Sequence, residues 1–331
     1  MNYTGKIIVL AFPDTFVTMS TEWVCKLLPL LGLGTRDYIK AGHAALVLIE
    51  NKTGQARYFD FGRYVTPDGF GRVRGANTDA ELEIPFAAQI NKQGALLNHA
   101  EFALWLDANP QRTHGEGRLL TSVCDAVDYQ KANLFIENLQ AEGSIPYSAF
   151  GKNGSNCARF VTDTILAATE DKLIVKALLF NKKFTPSTVG NVEKAAIDQA
   201  VFEVYKGSVK SYQGSAFKEN IKNYFDKNRP SKKRACVTKG SVPPNAQKLT
   251  GTGSSAWFCI TSEENLPKKH FRIRRYNDLH EMDFDGVFVS ETFEVDLPFE
   301  FTYDSHWQFC HVFQKNKKMK LKRVGLFNPN S

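Results

Sequence analysis

One cysteine in the sequence has the setting of a covalent nucleophile. Cys157 follows a turn-rich segment, 153–156, and begins an amphipathic stretch that predicts a helix from about Asn156 to Ala168. Ser155 or Asn156 can cap that helix, which places Cys157 in its first turn. Backbone N–H groups and the positive end of the helix dipole favour a thiolate at such a position. A small buried hydrophobic side chain is the alternative interpretation of Cys157 taken alone.

His43 is the predicted base for this nucleophile. It is the one titratable side chain in the run from Gly42 to Ile49, which predicts an otherwise apolar strand. A second strand-like run, 55–64, follows after a four-residue turn at 51–54, so the two runs are predicted to form a hairpin. A histidine packed in the core is the alternative for His43 alone.

Asp60 is the predicted partner of the histidine. In the register that the turn sets, Glu50 pairs with Gln55. Because side chains alternate along a strand, Tyr58 and Asp60 then share the face of His43. The Asp60 carboxylate can accept a hydrogen bond from the imidazole and hold its tautomer, although a surface carboxylate at a strand end is the alternative for Asp60 alone. Together, a thiol, an imidazole and an orienting carboxylate predict covalent acyl chemistry.

The elements that position these side chains mix strands and helices up to about residue 225 and become strand-like beyond residue 240. Helices are predicted at 20–31, between 128 and 143, and at 156–168, 192–205 and 217–225. Strands are predicted at 6–12, 42–50, 55–64 and 82–84, with a loop at 66–78. The later strands are predicted at 256–261, 270–276, 287–289, 293–303, 308–313 and 319–324.

Length and charge distribution predict two domains. The chain has 331 residues, against about 150 for an average domain. Residues 201–331 carry a net charge of +8, whereas residues 1–200 carry −1. We therefore predict a catalytic domain at 1–205, a helical and basic linker at 206–240, and a β-rich accessory domain at 241–331.

The order of the candidate residues resembles the circularly permuted NlpC-like branch of the papain fold, which includes YiiX/YaeF-like and lecithin:retinol acyltransferase-like enzymes. Those proteins carry a histidine on a strand, a polar residue on the next strand and a cysteine at the start of a later helix. Non-permuted relatives share Pro146-Tyr147, Gly151, the cysteine and Phe160-Val161 in similar order. The resemblance covers about residues 1–200 and departs at 156–158, where Asn-Cys-Ala replaces Asp-Cys-Ser.

This resemblance implies an α+β permuted papain-like domain with an antiparallel sheet and packed helices, followed here by the β-rich domain. It implies Cys157 as nucleophile, His43 as base, Asp60 as orienting residue and Tyr147 as a hydroxyl that lines the pocket. The predicted substrate-binding residues are Tyr147, Tyr58 and Asn156. The expected function is a bacterial cysteine hydrolase that cleaves an amide, such as a cell-wall stem peptide, or an ester. The alternatives are an acyltransferase that acts on a lipid or an amine, and a binding protein that keeps the fold without chemistry.

Other classes of protein lack support in the sequence. A phosphate-binding loop, an H-E-x-x-H motif and a G-x-S-x-G motif are all absent, and no cofactor or metal is expected. The basic run 315–323 predicts attraction to an anionic surface or polymer, and a nucleic-acid partner is not expected. No apolar run reaches the roughly 20 residues of a membrane span. With six scattered cysteines and no signal peptide, the chain is predicted to be cytoplasmic as synthesised, and signal-independent export stays open.

Overall fold

The computed structural model describes residues 3–151, 153–197, 199–228 and 240–328. In chain order the strands are β1 (Gly5–Phe12), β2 (Val17–Thr18), β3 (Tyr38–Ile39), β4 (His43–Glu50), β5 (Ala56–Gly62), β6 (Phe70–Gly75), β7 (Leu119–Val127), β8 (Ile145–Pro146), β9 (Phe202–Tyr205), β10 (Ser208–Ser211), β11 (Gln247–Thr250), β12 (Ser255–Thr261), β13 (His270–Tyr276), β14 (Met282–Val289), β15 (Glu300–Phe301), β16 (Phe309–Gln314) and β17 (Lys317–Leu326). The α-helices are α1 (Trp23–Leu27), α2 (His99–Ala108), α3 (Pro110–Thr113), α4 (Tyr129–Glu142), α5 (Cys157–Ala168), α6 (Lys172–Asn181), α7 (Thr188–Ala195) and α8 (Ala216–Tyr224).

An eight-stranded antiparallel sheet organises the first part of the chain, in the order β10-β9-β7-β1-β4-β5-β6-β8. The central strand β1 is buried along its whole length because helices cover both faces of the sheet. Helices α4, α5 and α7 contribute to the core on one face, and α2 contributes to the core on the other. The predicted α+β class, with an antiparallel sheet and packed helices, is confirmed.

The hairpin β4–β5 has the register that the sequence predicts. Ala45 lies opposite Asp60, and the backbone N–H of Glu50 donates to the carbonyl of Gln55 over 2.9 Å. In the turn, Gly54 has a φ of +72°, and a Cβ there would lie 2.4 Å from a backbone oxygen of Ala88. The turn therefore requires glycine both for its conformation and for its space.

The segment predicted as a loop at 66–78 contains strand β6, so that prediction is wrong. Gly71 and Gly75 leave room for two aromatic rings of β5: a Cβ on Gly71 would lie 2.7 Å from the Phe61 ring, and a Cβ on Gly75 would lie 2.5 Å from the Phe59 ring. Glycines that signal a loop in the sequence thus mark close approach within a sheet.

Three further predicted elements differ from the structure. Residues 80–82 form a short 3-10 helix where a strand was predicted at 82–84. The helix predicted at 192–205 ends at Ala195 as α7, and its last four residues form β9, which pairs with β7. In the range 293–303 only β15 is a strand.

A second, seven-stranded antiparallel sheet is built from the last part of the chain, in the order β11-β12-β13-β14-β17-β16-β15. The Gln247 side chain links its two edge regions, because it donates to the carbonyl of Phe299 over 2.9 Å and accepts from the N–H of Phe301 over 2.8 Å. The sheet therefore closes nearly into a barrel, and the predicted β-rich C-terminal domain is confirmed.

The segment predicted as a linker, 206–240, includes residues 229–239, which lie outside the described ranges. The described part before them forms β10, which pairs with β9 at the edge of the first sheet, and α8. The first sheet therefore includes chain as far as Ser211.

The two sheets are joined by close backbone contacts. The N–H of Gly253 donates to the carbonyl of Arg63 over 2.5 Å, and a Cβ on Gly251 would lie 1.6 Å from the carbonyl oxygen of Tyr64. The N–H of Trp307 donates to the carbonyl of Thr78 over 3.3 Å. The second domain therefore packs against two segments of the first, one that follows β5 and one that follows β6.

Candidate active site

Cys157 is the first residue of α5, as predicted. The N-cap is Asn156, whose side-chain oxygen accepts from the Arg159 N–H over 2.9 Å while its Nδ2 donates to the carbonyl of Ser148 over 2.9 Å. These bonds hold the helix start against the preceding loop. The N–H of Cys157 belongs to the first turn, whose amides make no intrahelical hydrogen bond and face the helix N-terminus.

His43 is the first residue of β4 and lies opposite Phe12 of β1, whose ring stacks with the imidazole at 6.3 Å between centroids. Its Nε2 lies 3.5 Å from Oδ2 of Asp60, which allows an ion pair with the protonated ring but is outside ordinary hydrogen-bond geometry. Both His43 and Cys157 are only 8% exposed. Because the His43 ring also interacts with the Cys157 thiol, the three side chains lie in one buried cluster.

The electrostatics of this cluster favour an ion pair between the cysteine and the histidine. Burial by itself raises the pKa of the Cys157 thiol, but the His43 ring and the backbone amides of Ala44 and Ala158 outweigh it, so the pKa is lowered from its ordinary value. Burial by itself lowers the pKa of His43, but Asp60 and Cys157 raise it to about 9. Both shifts are in the direction that favours a thiolate–imidazolium pair over the neutral thiol and imidazole.

Asp60 has more partners than the sequence suggested. It is fully buried and receives two hydrogen bonds from Arg74, of 3.0 and 2.7 Å, as well as bonds from the hydroxyls of Tyr58 and Tyr64 at 3.0 and 2.7 Å. Burial opposes ionisation, but the Arg74 and His43 charges and hydrogen bonds hold the Asp60 pKa well below its usual range. Asp60 is therefore a carboxylate fixed in one orientation beside the imidazole.

Sequence reasoning missed Arg74 and Tyr64. Arg74 lies directly opposite Asp60 in the β5–β6 pair, so the signal was available once β6 had been recognised as a strand. Alternation along the strand predicted at 55–64 places Tyr64 on the face of Asp60, although β5 itself ends two residues earlier, at Gly62. The Tyr64 hydroxyl reaches the carboxylate.

The three predicted substrate-binding residues lie in different settings. The Tyr58 hydroxyl is buried and donates to Asp60, and the Asn156 side chain is engaged in the helix cap. The Tyr147 ring stacks on Phe61. The Arg63 guanidinium lies over the Tyr147 ring, 4.4 Å from the ring centroid. Burial and the neighbouring Cys157 raise the pKa of Tyr147 to about 12. Substrate binding by these residues stays a prediction.

The side chain of Glu22, the residue just before α1, holds the loop that precedes Cys157. Glu22 accepts from the Ser148 hydroxyl over 2.7 Å and from the N–H groups of Ala149 and Gly151 over 2.7 and 3.0 Å. Burial raises its pKa, but these donors outweigh it and lower the pKa below its ordinary value. We call residues 148–151 the clamped loop, since Asn156 also bonds to it.

The other cysteines have a different environment. Of the five cysteines in the described ranges, none is in a disulfide. Burial raises the pKa of Cys25, of Cys124 (to about 12) and of Cys310, the opposite of the direction for Cys157.

Within the described ranges, no group of three or more His, Cys, Asp or Glu side chains is placed to hold a metal ion. No described helix combines the length and apolar character needed to cross a membrane.

Comparison with known proteins identifies a family for the first part of the chain. The model of the type VI secretion system effector TseH-like family matches residues 7–174, just over half of the chain, and that of the DUF6695 C-terminal domain matches residues 246–324. The crystal structure of the type VI secretion system effector TseH aligns at 18% identity with a TM-score of 0.41, covering 64% of this chain and 100% of that one. No curated protein matches the chain. The chain therefore belongs to the type VI secretion system effector TseH-like family.

Proposed function

We propose that this protein is a cysteine hydrolase that cleaves amide bonds, with Cys157 as nucleophile, His43 as base and Asp60 as the residue that orients the imidazole. Peptide bonds of cell-wall stem peptides are the proposed substrate. The observation that carries the proposal is the pairing of a thiol of lowered pKa, at a helix N-terminus, with an imidazole of raised pKa. That pairing is the requirement for thiolate attack near neutral pH.

The proposed reaction follows from the charges in the cluster. The Cys157 thiolate attacks the carbonyl carbon, and the N–H of Cys157 at the helix N-terminus stabilises the oxyanion that forms. The imidazolium of His43 gives its proton to the leaving amine, which leaves an acyl-thioester on Cys157. Neutral His43 then takes a proton from water, which attacks the thioester and releases the acid.

Membership in an effector family supports export by type VI secretion as the proposed route of this chain. The resemblance to permuted NlpC-like enzymes supports hydrolysis of an amide in the cell wall. Direct backbone contacts join the accessory domain to the first domain. These contacts support the proposal that the two domains act after export as one folded unit.

Selective alkylation is the test that needs no known substrate. Iodoacetamide at pH 7 is expected to label Cys157 faster than the other cysteines, and His43→Ala is expected to slow that labelling. Cys124→Ala serves as the matched control, since burial raises the pKa of that thiol. Preferential labelling of another cysteine, or a rate independent of His43, would contradict the assignment.

Digestion of purified peptidoglycan tests the substrate. The full-length protein is expected to release stem-peptide fragments that mass spectrometry identifies, and Cys157→Ala is expected to release none. General acid–base catalysis contributes roughly 10²–10⁴-fold, so His43→Ala should reduce the rate by that factor. Transfer of the acyl group to an added amine or lipid, in place of water, would identify the protein as an acyltransferase. Fragments released equally by Cys157→Ala would refute the mechanism.

A further inference from the structure

A buried carboxylate links the two domains. Asp79, which follows β6, is 1% exposed and is bound by both terminal nitrogens of Arg72 at 2.6 Å. A third guanidinium nitrogen comes from the second domain: Nη1 of Arg275, on β13, lies 3.3 Å from the Asp79 carboxylate. Arg275 is itself 7% exposed, and its Nη1 lies 3.6 Å from Asp283. Glu81 and His306 also interact with Arg275 electrostatically.

This carboxylate lies next to the catalytic cluster. Asp79 and Arg74 interact electrostatically, and Arg74 forms the paired hydrogen bonds to Asp60. Positive and negative groups therefore alternate from His43 through Asp60, Arg74 and Asp79 to Arg275. All of these groups are buried, so water screens their interactions weakly.

Backbone contacts from the second domain hold the segments beside both carboxylates of this charge chain. The close approach of Gly251 and Gly253 holds the segment around Tyr64, whose hydroxyl donates to Asp60. The bond from the Trp307 N–H holds Thr78, whose hydroxyl lies 2.8 Å from Asp79. The second domain thus contacts the neighbours of both carboxylates in the chain.

We propose that the second domain is a working part of the catalytic centre, in which Arg275 is a positioning residue that acts on His43 and Cys157 through Asp79, Arg74 and Asp60. This inference rests on the proposed cysteine chemistry. It assigns to the C-terminal domain a role in setting the charge balance of the site, and it makes the first domain alone an incomplete enzyme.

The sign of the effect follows from electrostatics. Removing a buried cation makes the surrounding potential more negative, so every nearby group holds its proton more tightly. Arg275→Gln should therefore move the pH profile of Cys157 alkylation upward. Removing the anion at Asp79 should move the profile in the opposite direction. A purely structural loss of packing would not reverse sign between the two variants.

The experiment measures the rate of Cys157 alkylation from pH 4 to 10 in the full-length protein. Arg275→Gln is expected to shift the profile upward, Arg275→Lys to restore it because the charge is kept, and Asp79→Asn to shift it downward. Arg272→Gln is the matched control, since Arg272 is on the same strand but pairs with Asp285 and Glu263 of its own domain. If Arg275→Gln does not fold, the double variant Arg275→Gln with Asp79→Asn, which removes both charges of the pair, carries the test. Its profile is expected above that of Asp79→Asn alone, and equal profiles would refute the role of Arg275.

The outcomes separate this inference from the proposed function. A wild-type profile with an ordinary thiol pKa, unchanged by His43→Ala, would refute the cysteine chemistry itself. A lowered wild-type pKa, combined with profiles for Arg275→Gln and Asp79→Asn that equal wild type or shift in the same direction, would refute only the role of the second domain.

Discussion

Replacing Asp60 with asparagine should damage both the fold and the site, for separate reasons. The carboxylate is shared between Arg74, at 2.7 Å, and the His43 ring, at 3.5 Å. Asp60→Asn leaves the buried guanidinium without its nearest anion, and breaking a buried ion pair from one side costs about 3–5 kcal/mol of folding free energy. The variant is therefore expected to unfold at a clearly lower urea concentration than the wild-type protein.

The effect on His43 can be worked from the distance. Two unit charges 3.5 Å apart interact by about 4–5 kcal/mol at an effective dielectric constant of about 20, which corresponds to roughly 3 pKa units. Arg74 keeps its charge in both proteins and leaves this difference unchanged, so we expect the His43 pKa to fall by up to about 3 units from its value of about 9. Near pH 8 a fall of about 1 unit reduces the imidazolium about twofold and a fall of about 3 units about 90-fold, and the ion-paired thiolate decreases with it.

A double variant separates the two effects. Asp60→Asn combined with Arg74→Met removes both charges of the pair, so stability should largely return while the alkylation rate of Cys157 stays low. Urea unfolding and NMR titration of the His43 ring measure the two quantities. Tyr58→Phe is the control, because it removes one hydrogen bond to Asp60 and no charge. A single variant with wild-type stability and a wild-type His43 titration would refute the reasoning.

Three other changes have defined expected results. Burial and nearby arginines lower the pKa of His306 to about 3. The free energy of unfolding should therefore fall as the pH drops from about 6.5 toward 3. His306→Gln should reduce this fall when unfolding is measured at pH 7 and pH 4. Lys320→Glu with Lys322→Glu, on the exposed side of β17, should weaken retention on a heparin column, and unchanged retention would contradict an anionic partner there. Glu22→Gln should destabilise the clamped loop by about 1–2 kcal/mol, seen as faster amide exchange at 149–151, and unchanged exchange would show that the clamp is not required.

Local sequence signals predicted the part of the site that local structure determines. The turn at 51–54 sets the β4–β5 register, and this register places Asp60 on the face of His43. The capping side chain of Asn156 sets the start of α5 and therefore the position of Cys157. Both features depend on hydrogen bonds within a few residues, which is why one sequence suffices to predict them.

The missed features depend on groups that are distant in sequence. Strand β6 is stable because rings of β5 cover its glycines, and nothing within residues 66–78 indicates those rings. Glu22 reaches the clamped loop over a sequence separation of 126 residues, and Arg275 reaches Asp79 over 196. Charge and glycine content alone do not identify such partners, because pairing is decided by how the domains pack.

The dependence of Cys157 on distant residues gives the chain a built-in reporter of its own folding. In an unfolded chain Cys157 is an ordinary thiol, since the histidine that lowers its pKa is then not held beside it. The lowered thiol pKa, and the faster alkylation that it produces, would arise only when α5 has docked beside β4. A short pulse of alkylating reagent during refolding could therefore time the docking of Cys157 against His43.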